Sequence, residues 1–251
     1  MPGVRPCGRS PPDPFRAVPV LGGGQVTLYE WPDVEQGSPE WHDQRRGIVT
    51  ASVMSQLITP AQIRPANNPE SRSIAALLAA ERITGFTEPT YVSDDMARGH
   101  DVEPLAAESY SEHHAPVTFT GFMVRDEFGF RLGYSPDGKV GDDGLIEIKS
   151  RRQKKHLQTI LADEVPRENI AQIQTGLLVS GREWCDYVSY CGGMPLWTKR
   201  VYPDQKWREA IIVAVTQFEM AVTDMTAAYH KAVEGLPMTE RVLEEELEIT
   251  F

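Results

Sequence analysis

The chain has 251 residues, of which 41% are hydrophobic and 24% are charged, and its formal net charge is -11. This composition is ordinary for a globular protein and excludes wholesale disorder. The acidic balance argues against a uniformly basic surface that coats nucleic acid, although it leaves room for a local basic groove.

The cysteines and the lengths of the apolar segments indicate the cellular compartment of the protein. Cys7, Cys185 and Cys191 form neither a disulfide framework nor a zinc or iron-sulfur spacing. No stretch has the apolar length of a signal peptide or a membrane span. We therefore expect a cytoplasmic protein that is neither exported nor embedded in a membrane.

The first half of the chain is predicted to be an extension followed by helices. Residues 1–37 are rich in Pro and Gly, which predicts a loosely packed extension. Ser38 and Pro39 are a typical helix start, and they precede "EWHDQRRG". The segment Ser71–Gly85 has a strong helical period, and "DDMARGHDVEPLAAESYSEHH" is also helical in pattern. Pro104 should kink or restart that helix.

From Thr118 the apolar period changes to two, which predicts strands. The segments "VTFTGFMV", "FRLGYS", "GKV" and "LIEIKS" follow one another, and "GDDG" is typical of a β-hairpin turn. Two helical patterns follow, then the strands "WCDYVSYC" and "LWTKRVY". Asp204 is predicted to cap a long amphipathic helix in which Phe218, Met220 and Met225 belong to the core. The pattern predicts an α/β fold with a mixed central sheet flanked by helices.

The composition of the chain predicts three segments. We expect a Pro/Gly-rich extension over 1–37, a single folded domain over 38–236 and an acidic tail over 237–251.

The hairpin carries the residues with the clearest chemistry. Glu147 and Lys149 are two residues apart on a strand, so their side chains project from one face, and Asp137 enters across the turn. Converging carboxylates offer the oxygen ligands that Mg²⁺ or Mn²⁺ prefers, and a neighbouring ammonium can orient a water. This chemistry suits phosphodiester hydrolysis. On these residues alone, a solvated surface ion pair is the competing interpretation.

A resemblance adds weight to the catalytic interpretation. "SPDG" at Ser135–Gly138 followed by "IEIK" at Ile146–Lys149 resembles the signature of the PD-(D/E)xK nuclease superfamily. Within that superfamily the chain is similar to the lambda exonuclease or YqaJ-type viral recombinase family. Four further segments agree in order: "WHDQRRGIVTAS" at 41–52, "RGHDVEPLAAESY" at 98–110, "AQIQTGLLVSG" at 171–181 and "CDYVSY" at 185–190. The resemblance implies a restriction-endonuclease-like core.

The resemblance also implies roles for individual residues. It implies a metal site with these ligands: Asp137, Glu147, Glu103 and the backbone carbonyl of Ile148. Lys149 would orient or activate the attacking water, and Gln172 would hold a water or a phosphate oxygen. Gln174 is expected to be structural. Asp126 matches an acidic position of the family but could equally be a turn residue, and His113 and His114 are expected on the surface.

A pocket for a 5'-phosphate is implied as well. Arg45 can donate two parallel hydrogen bonds to a terminal phosphate, and Ser52 and Ser135 supply neutral donors. Arg46 is the competing arginine. The basic run 151–155 either contacts the DNA backbone or is a solvated helix start.

The resemblance implies a Mg²⁺-dependent nuclease, with Mn²⁺ able to substitute, that degrades double-stranded DNA from phosphorylated 5' ends. It would release 5'-mononucleotides and leave 3' single-stranded tails for phage-type recombination. A homotrimeric ring, a single-strand annealing partner and a phage or prophage origin in a bacterial host are implied too. The alternatives are another nuclease of the superfamily, either an endonuclease or a Cas4-like exonuclease, and a DNA-binding accessory protein that does not cleave. The iron-sulfur cysteines of the Cas4-like enzymes are missing here.

Overall fold

The computed structural model describes residues 20–22, 26–89 and 94–241. Within these ranges the helices are α1 Pro39–Arg45, α2 Met54–Leu57, α3 Pro69–Thr84, α4 Asp94–His113, α5 Gln153–Ala162, α6 Arg167–Ser180 and α7 Gln205–Ala232. The strands are β1 Val20–Gly22, β2 Val26–Trp31, β3 Val49–Thr50, β4 Ile58–Thr59, β5 Arg64–Pro65, β6 Val117–Thr118, β7 Phe122–Glu127, β8 Phe130–Tyr134, β9 Gly138–Val140, β10 Gly144–Ser150, β11 Trp184–Tyr190 and β12 Trp197–Val201.

The described strands form two five-stranded sheets and a small ribbon of β4 and β5. The first sheet has the order β1-β2-β7-β8-β3, and the second has the order β12-β11-β10-β9-β6. Strands β10 and β11 are parallel, as are β3 and β8, while the other pairs are antiparallel. The predicted mixed α/β class is confirmed, but the strands divide between two sheets where the sequence predicted one.

The chain crosses from one sheet to the other between β8 and β9. Residues 135–137 make this connection, and Pro136 lacks the N–H that would continue a strand ladder. Gly138 follows at the start of β9, where an added Cβ would lie 2.4 Å from the side chain of Val117. Asp137 is therefore held at the point where the two sheets meet.

The helix ends follow the capping chemistry of the sequence. The Ser38 hydroxyl accepts a hydrogen bond from the N–H of Trp41, and Pro39 occupies the first turn of α1. Gly85 ends α3 in the left-handed conformation, with φ of 61°. The Asp204 carboxylate accepts hydrogen bonds at the start of α7. These predicted starts and stops are confirmed.

The two faces of β10 belong to different parts of the core. Leu145 packs into the larger cluster with side chains of α6 and α7. Ile146 and Ile148 point to the other face, where Ala106 and Tyr110 of α4 cover them. This alternation fixes which side chains of β10 point to each side.

Helix α4 runs through Pro104 as one helix, so of the predicted kink or restart the restart was wrong. An interior proline removes one hydrogen bond and costs about 3 kcal/mol in an isolated helix. Ala106, Ala107 and Tyr110, directly after the proline, are almost fully buried against β10. Their packing offsets the local cost.

Part of the predicted extension belongs to the fold. Residues Val26–Trp31 form β2, in which Thr27–Trp31 pair with Phe122–Asp126 of β7. This strand was hard to predict because its residues lie in a Pro/Gly-rich context. The tail beyond residue 241 and most of the extension lie outside the described residues, so the predicted division into three segments stays a prediction.

Helix α7 is less buried than its apolar sequence suggests. Phe218 is in the core as expected, but Met220 and Met225 are exposed, so that prediction was wrong for both methionines. By length and composition alone, α7 is the one described helix that could cross a membrane. Its buried side chains, such as Trp207 and Ile211, pack into the main core, which is the ordinary setting of a helix in a folded domain.

Candidate active site

Asp137, Glu147 and Lys149 come together at the junction of the two sheets. The backbone N–H of Ile148 donates a 2.6 Å hydrogen bond to Oδ2 of Asp137, which ties this carboxylate to β10. Oε1 of Glu147 lies 2.6 Å from Nζ of Lys149, and the Glu147 side chain is fully buried. The strand alternation that predicted Glu147 and Lys149 on one face is thus present in the structure.

Burial and the proximity of several carboxyl groups shift the pKa values in this cluster. Burial raises the pKa of the Asp137 carboxyl well above its usual range, and the charges of Glu147 and Glu103 raise it further. Burial alone would lower the pKa of Lys149, but the carboxylates of Glu147 and Asp137 raise it above its usual value. Glu103 of α4 therefore lies close enough to Asp137 for its charge to be felt.

The donor set fits a hard divalent cation held by few protein ligands. Both carboxylate oxygens of Glu147 are buried without a well-aligned hydrogen bond, so the Lys149 ion pair is their chief compensation. The Tyr134 hydroxyl nearby is also buried without a well-aligned partner. Among the described residues, no three His, Cys, Asp or Glu side chains are gathered tightly enough to enclose an ion. Mg²⁺ typically binds through one or two carboxylates and keeps several waters, so the Asp137 and Glu147 pair suits it.

Gln172 and Gln174 differ in their surroundings on α6. Gln174 is buried, donates to the carbonyl of Tyr202 at 2.8 Å and accepts from the N–H of Asp204 at 2.9 Å. It therefore ties α6 to the start of α7, in line with its expected structural role. Gln172 is half-buried between the fully buried Ala171 and Ile173. Its role in the site stays a prediction.

The predicted phosphate-binding residues are brought together by Trp41. The guanidinium of Arg45 stacks over the Trp41 ring at 3.9 Å from its centroid. An Arg45 terminal nitrogen lies 3.4 Å from the hydroxyl oxygens of both Thr50 and Ser52. The Trp41 indole N–H donates to Oγ of Ser135 at 2.8 Å. Arg45 and Ser135 thus contact one tryptophan, and Ser52 lies beside Arg45.

Arg45 keeps its positive charge although its side chain is largely buried. Burial lowers the pKa of Arg45 to about 10, while the charge of Glu81 opposes that shift. The guanidinium therefore stays protonated at neutral pH. Arg46, the competing arginine, is ion-paired with Asp43. Of the two arginines, Arg45 is the one that lies beside Ser52, and its role as a phosphate ligand stays a prediction.

Sequence reasoning missed two residues that hold this site together. Trp41 lies inside a motif that was singled out, but its link to Ser135 joins residues 94 positions apart. Gln36 lies in the predicted extension and donates to the carbonyl of Pro136 at 3.0 Å. A glutamine in a polar loop gives no signal of such a contact.

The remaining candidates have structural or surface settings. Asp126 pairs with Arg131 across the β7-β8 hairpin at 3.4 Å and is partly exposed. His114 stacks on Tyr110, and Nδ1 of His113 lies 2.8 Å from the carbonyl of Ser109, as expected for histidines outside a metal site. In the basic run, Lys155 pairs with Glu168 at 2.8 Å.

Comparison with known proteins identifies the family. A model of the YqaJ-like viral recombinase domain matches residues 40–183, which is more than half of the chain. The chain belongs to the YqaJ-like viral recombinase family. The match covers Arg45, Glu103, Asp137, Glu147 and Lys149, and the predicted family resemblance is confirmed.

Three solved structures of similar fold are named as exonucleases or as a complex of one. An alkaline exonuclease (LHK-Exo) from Laribacter hongkongensis is 30% identical, with a TM-score of 0.70, over 80% of this chain and 100% of that chain. The same enzyme in complex with dAMP matches equally well. A phage-related exonuclease from Haemophilus somnus 129PT, at 11% identity and a TM-score of 0.58, covers 72% of this chain and 96% of its own, and supports the fold alone. No curated protein sequence matches the chain significantly. The predicted restriction-endonuclease-like core is confirmed.

Proposed function

We propose that the protein is a Mg²⁺-dependent exonuclease that degrades double-stranded DNA in the 5'-to-3' direction. It releases 5'-mononucleotides and leaves 3' single-stranded tails for phage-type recombination. The observation that carries the proposal is the buried Asp137 and Glu147 pair beside Lys149, in a viral recombinase family member whose 30% identical structural relative is an alkaline exonuclease.

The acidic residues would hold the metal ion. Asp137 and Glu147 would be its main ligands, with Glu103 and the carbonyl of Ile148 completing the coordination. When bound, Mg²⁺, or Mn²⁺ in its place, neutralises charge on the phosphate and makes a bound water more acidic. The bound cation would also stabilise the ionised carboxylates of Asp137 and Glu147, which are buried away from water and close to each other.

The remaining residues position the reactants. Lys149, held 2.6 Å from Glu147, is placed to hydrogen-bond the attacking water or a phosphate oxygen and to offset the charge that develops there. Gln172 supplies a neutral amide to a water or a phosphate oxygen. Fixed positions of this kind lower the barrier because the groups need no reorganisation when the bond breaks.

The direction of degradation follows from the phosphate pocket. Arg45, Ser52 and Ser135 would bind the terminal 5'-phosphate, and Ser135 is two residues from Asp137 in the connection between the sheets. A terminal phosphate held there would bring the first phosphodiester bond to the acidic cluster. Phosphorylated 5' ends are therefore the proposed substrate.

The proposed biological setting is phage recombination in the cytoplasm of a bacterial host. The family resemblance suggests a ring of three subunits around the DNA and a single-strand annealing protein as partner. A ring could combine an acidic outer surface with a basic inner one, which suits a chain of net charge -11.

A direct test compares three substrates in Mg²⁺: a linear duplex with 5'-phosphates, the same duplex with 5'-hydroxyls and a covalently closed circle. We expect rapid release of mononucleotides from the phosphorylated ends, slower release from the hydroxyl ends and no loss of the circle. EDTA should stop the reaction, and Mn²⁺ should restore it. Cleavage of the circle would favour an endonuclease, and binding without cleavage would favour an accessory protein.

A further inference from the structure

Arg151 continues the row of side chains on β10 that carries the acidic cluster. Its backbone N–H donates to the carbonyl of Tyr190, so the pairing of β10 with β11 extends one residue beyond the end of β10. Strand alternation then directs the Arg151 side chain to the same face as Glu147 and Lys149. The contact of its guanidinium with Tyr187 supports this direction, because Tyr187 is the partner of Glu147 in the strand register.

The guanidinium of Arg151 joins three elements of the fold. Its Nη2 donates to the hydroxyl of Tyr187 on β11 at 3.0 Å and to Oδ1 of Asn169 on α6 at 2.5 Å. Its Nε lies 3.3 Å from the same hydroxyl oxygen. Tyr187 and Asn169 are both buried, and hydrogen bonds from a charged donor to buried acceptors are among the stronger ones. Arg151 therefore ties the end of β10 to α6.

Helix α6 presents one stripe of residues to this face of the sheet. Asn169, Gln172 and Gly176 are separated by three and then four positions, so they lie on one side of the helix. At one end of the stripe, Asn169 accepts the hydrogen bond from Arg151. At the other end, Gly176 approaches the ring of Tyr134 so closely that an added Cβ would lie 2.6 Å from it. Gln172 lies between these two contacts.

The acidic cluster lies between the same two contacts. Burial raises the pKa of the Tyr187 hydroxyl, and the charges of Arg151 and Lys149 oppose that shift. Lys149 is therefore close to the hydroxyl that Arg151 holds. Burial also raises the pKa of the Tyr134 hydroxyl at the other end, and the charge of Glu147 raises it further. The stripe of α6 thus faces the row of β10 that carries the proposed chemistry.

We propose that Arg151 is a positioning residue, which holds α6 at a fixed distance from β10 so that Gln172 and Lys149 reach the same water or phosphate. This role rests on the proposed function. A lysine could supply the same charge, but its ammonium lacks the planar fork that contacts Tyr187 and Asn169 together. Displacing a group of an active site by about 1 Å can cost about 10²-fold in rate.

Arg151→Lys separates positioning from attraction of DNA, because it keeps the charge and removes the fork. With linear 5'-phosphorylated duplex in Mg²⁺, kcat should fall roughly ten- to a hundredfold while KM stays nearly unchanged. Arg167→Lys makes the same exchange at an exposed residue in the first turn of α6 and should retain both constants. A raised KM with an unchanged kcat would overturn the proposal and make Arg151 a cation that binds the DNA backbone.

Variants of Asn169 test the contact from the side of α6. Asn169→Ala removes the acceptor and should reproduce the fall in kcat. Asn169→Asp keeps an oxygen acceptor for the guanidinium and should hold kcat near its original value. Urea denaturation of both variants shows whether the fold is retained. Equal losses of kcat in the two variants would contradict a role for the hydrogen bond to Arg151.

A double-mutant cycle tests whether Arg151 acts through Gln172. The Arg151→Lys exchange should lower kcat much less in a Gln172→Ala background than in the original protein, because the amide that Arg151 positions is already absent. A merely structural role of Arg151 would leave the two losses independent, so they would multiply. Multiplied losses, or normal turnover of the Gln172→Ala variant, would overturn the proposal.

Crystal structures of the unsubstituted protein and of the Arg151→Lys variant test the placement without any cleavage. The distance between Nζ of Lys149 and the side-chain amide of Gln172 should differ by about 1 Å between the two. An unchanged distance would refute the positioning role at any level of activity. If the distance changes while the unsubstituted protein fails to degrade linear duplex in Mg²⁺, the placement by Arg151 stands and the exonuclease proposal falls.

Discussion

At the scale of single residues, the side chain of Lys149 is the most direct test of the site. Replacing Lys149 with alanine should lower the rate of DNA degradation by about 10²-fold or more, because the ammonium beside the reacting phosphate is removed. Binding of duplex DNA should persist, since the proposed phosphate ligands Arg45, Ser52 and Ser135 are unchanged. Single-turnover cleavage and equilibrium binding, measured on the same preparation, separate the two effects.

Lys206→Ala is the matched control because Lys206 is exposed in the first turn of α7, an element that carries none of Asp137, Glu147 and Lys149. It should cleave at the original rate. Near-normal turnover of the Lys149→Ala variant would remove this residue from the mechanism and leave the Glu147 ion pair as a purely structural contact.

The neighbouring arginines Arg45 and Arg46 make a second matched pair. Arg45→Ala should chiefly erase the preference for phosphorylated over hydroxyl 5' ends, because the guanidinium beside Ser52 is the proposed ligand of the terminal phosphate. Arg46→Ala breaks an ion pair with Asp43 and should keep the preference. Initial rates on the two kinds of linear duplex give the ratio for each variant. An abolished preference in the Arg46 variant and a retained one in the Arg45 variant would reverse the assignment.

Contacts between residues close in the sequence made part of the site predictable, whereas contacts between distant residues did not. The face shared by Glu147 and Lys149 follows from strand alternation over three residues, which is local information. The placement of Asp137 beside Ile148 needs the β9-β10 hairpin, which the turn chemistry already indicated. The contacts of Trp41 and Gln36 span 94 and 100 residues, and no local pattern encodes them.

At the scale of helices and strands, tertiary packing overrode local preference in identifiable places. Pro104 removes a hydrogen bond from α4, but the helix does not restart there, because the buried residues that follow it pack against β10. Strand β2 forms in a segment with weak strand signals because β7 offers it a paired edge. Caps and turns, in contrast, were predictable because their hydrogen bonds join residues at most four positions apart.

The close approach of α6 to β8 leads to a prediction about stability. Gly176 of α6 faces Tyr134, and an added Cβ would lie 2.6 Å from its ring. Gly176→Ala should lower the free energy of unfolding by about 1–3 kcal/mol, because the buried ring has little room to move. Urea denaturation monitored by fluorescence or circular dichroism measures the change.

Gly99→Ala is the contrasting helical variant. An added Cβ at Gly99 meets no atom of the described residues within 4 Å. Alanine there should raise the free energy of unfolding by about 0.5–1 kcal/mol, since it reduces the freedom of the unfolded chain and favours α4. Equal effects of the two substitutions would contradict the tight packing of α6 on Tyr134.

At the scale of the whole molecule, a polar bridge joins the two sheets. Nζ of Lys139 on β9 lies 2.5 Å from Oε1 of Glu30 on β2, and the Thr120 hydroxyl donates to the same oxygen at 2.9 Å. Burial alone would raise the pKa of Glu30, but the hydrogen bonds from Lys139 and Thr120 lower it below its usual value of 4.5. The bridge therefore stabilises the fold while Glu30 is ionised.

This bridge predicts a pH dependence of stability. Because the pKa of Glu30 is lower in the folded state than in the unfolded state, its contribution is complete above about pH 4.5 and is lost as the pH falls through the folded-state pKa. Glu30→Gln should therefore lower the free energy of unfolding by about 1 kcal/mol at pH 7. The difference from the original protein should shrink on acidification, as measured by urea denaturation at several pH values. A constant difference would show that Glu30 acts through its shape alone.

At the same scale, the proposed ring of three subunits would explain how an acidic chain holds DNA. Isolated subunits of net charge -11 would repel a polyanion at long range, whereas a ring could turn basic segments such as residues 151–155 toward an enclosed duplex. We therefore expect light scattering to give about 84 kDa, three times the 28.0 kDa of one chain, at micromolar concentration. A ring that encloses the duplex should also remove many nucleotides in each binding event, even when unlabelled competitor DNA is added after the reaction starts. If the mass were that of one subunit and the competitor stopped degradation at once, the ring would be contradicted. The protein would then bind DNA in an open cleft and rebind it after every cleavage.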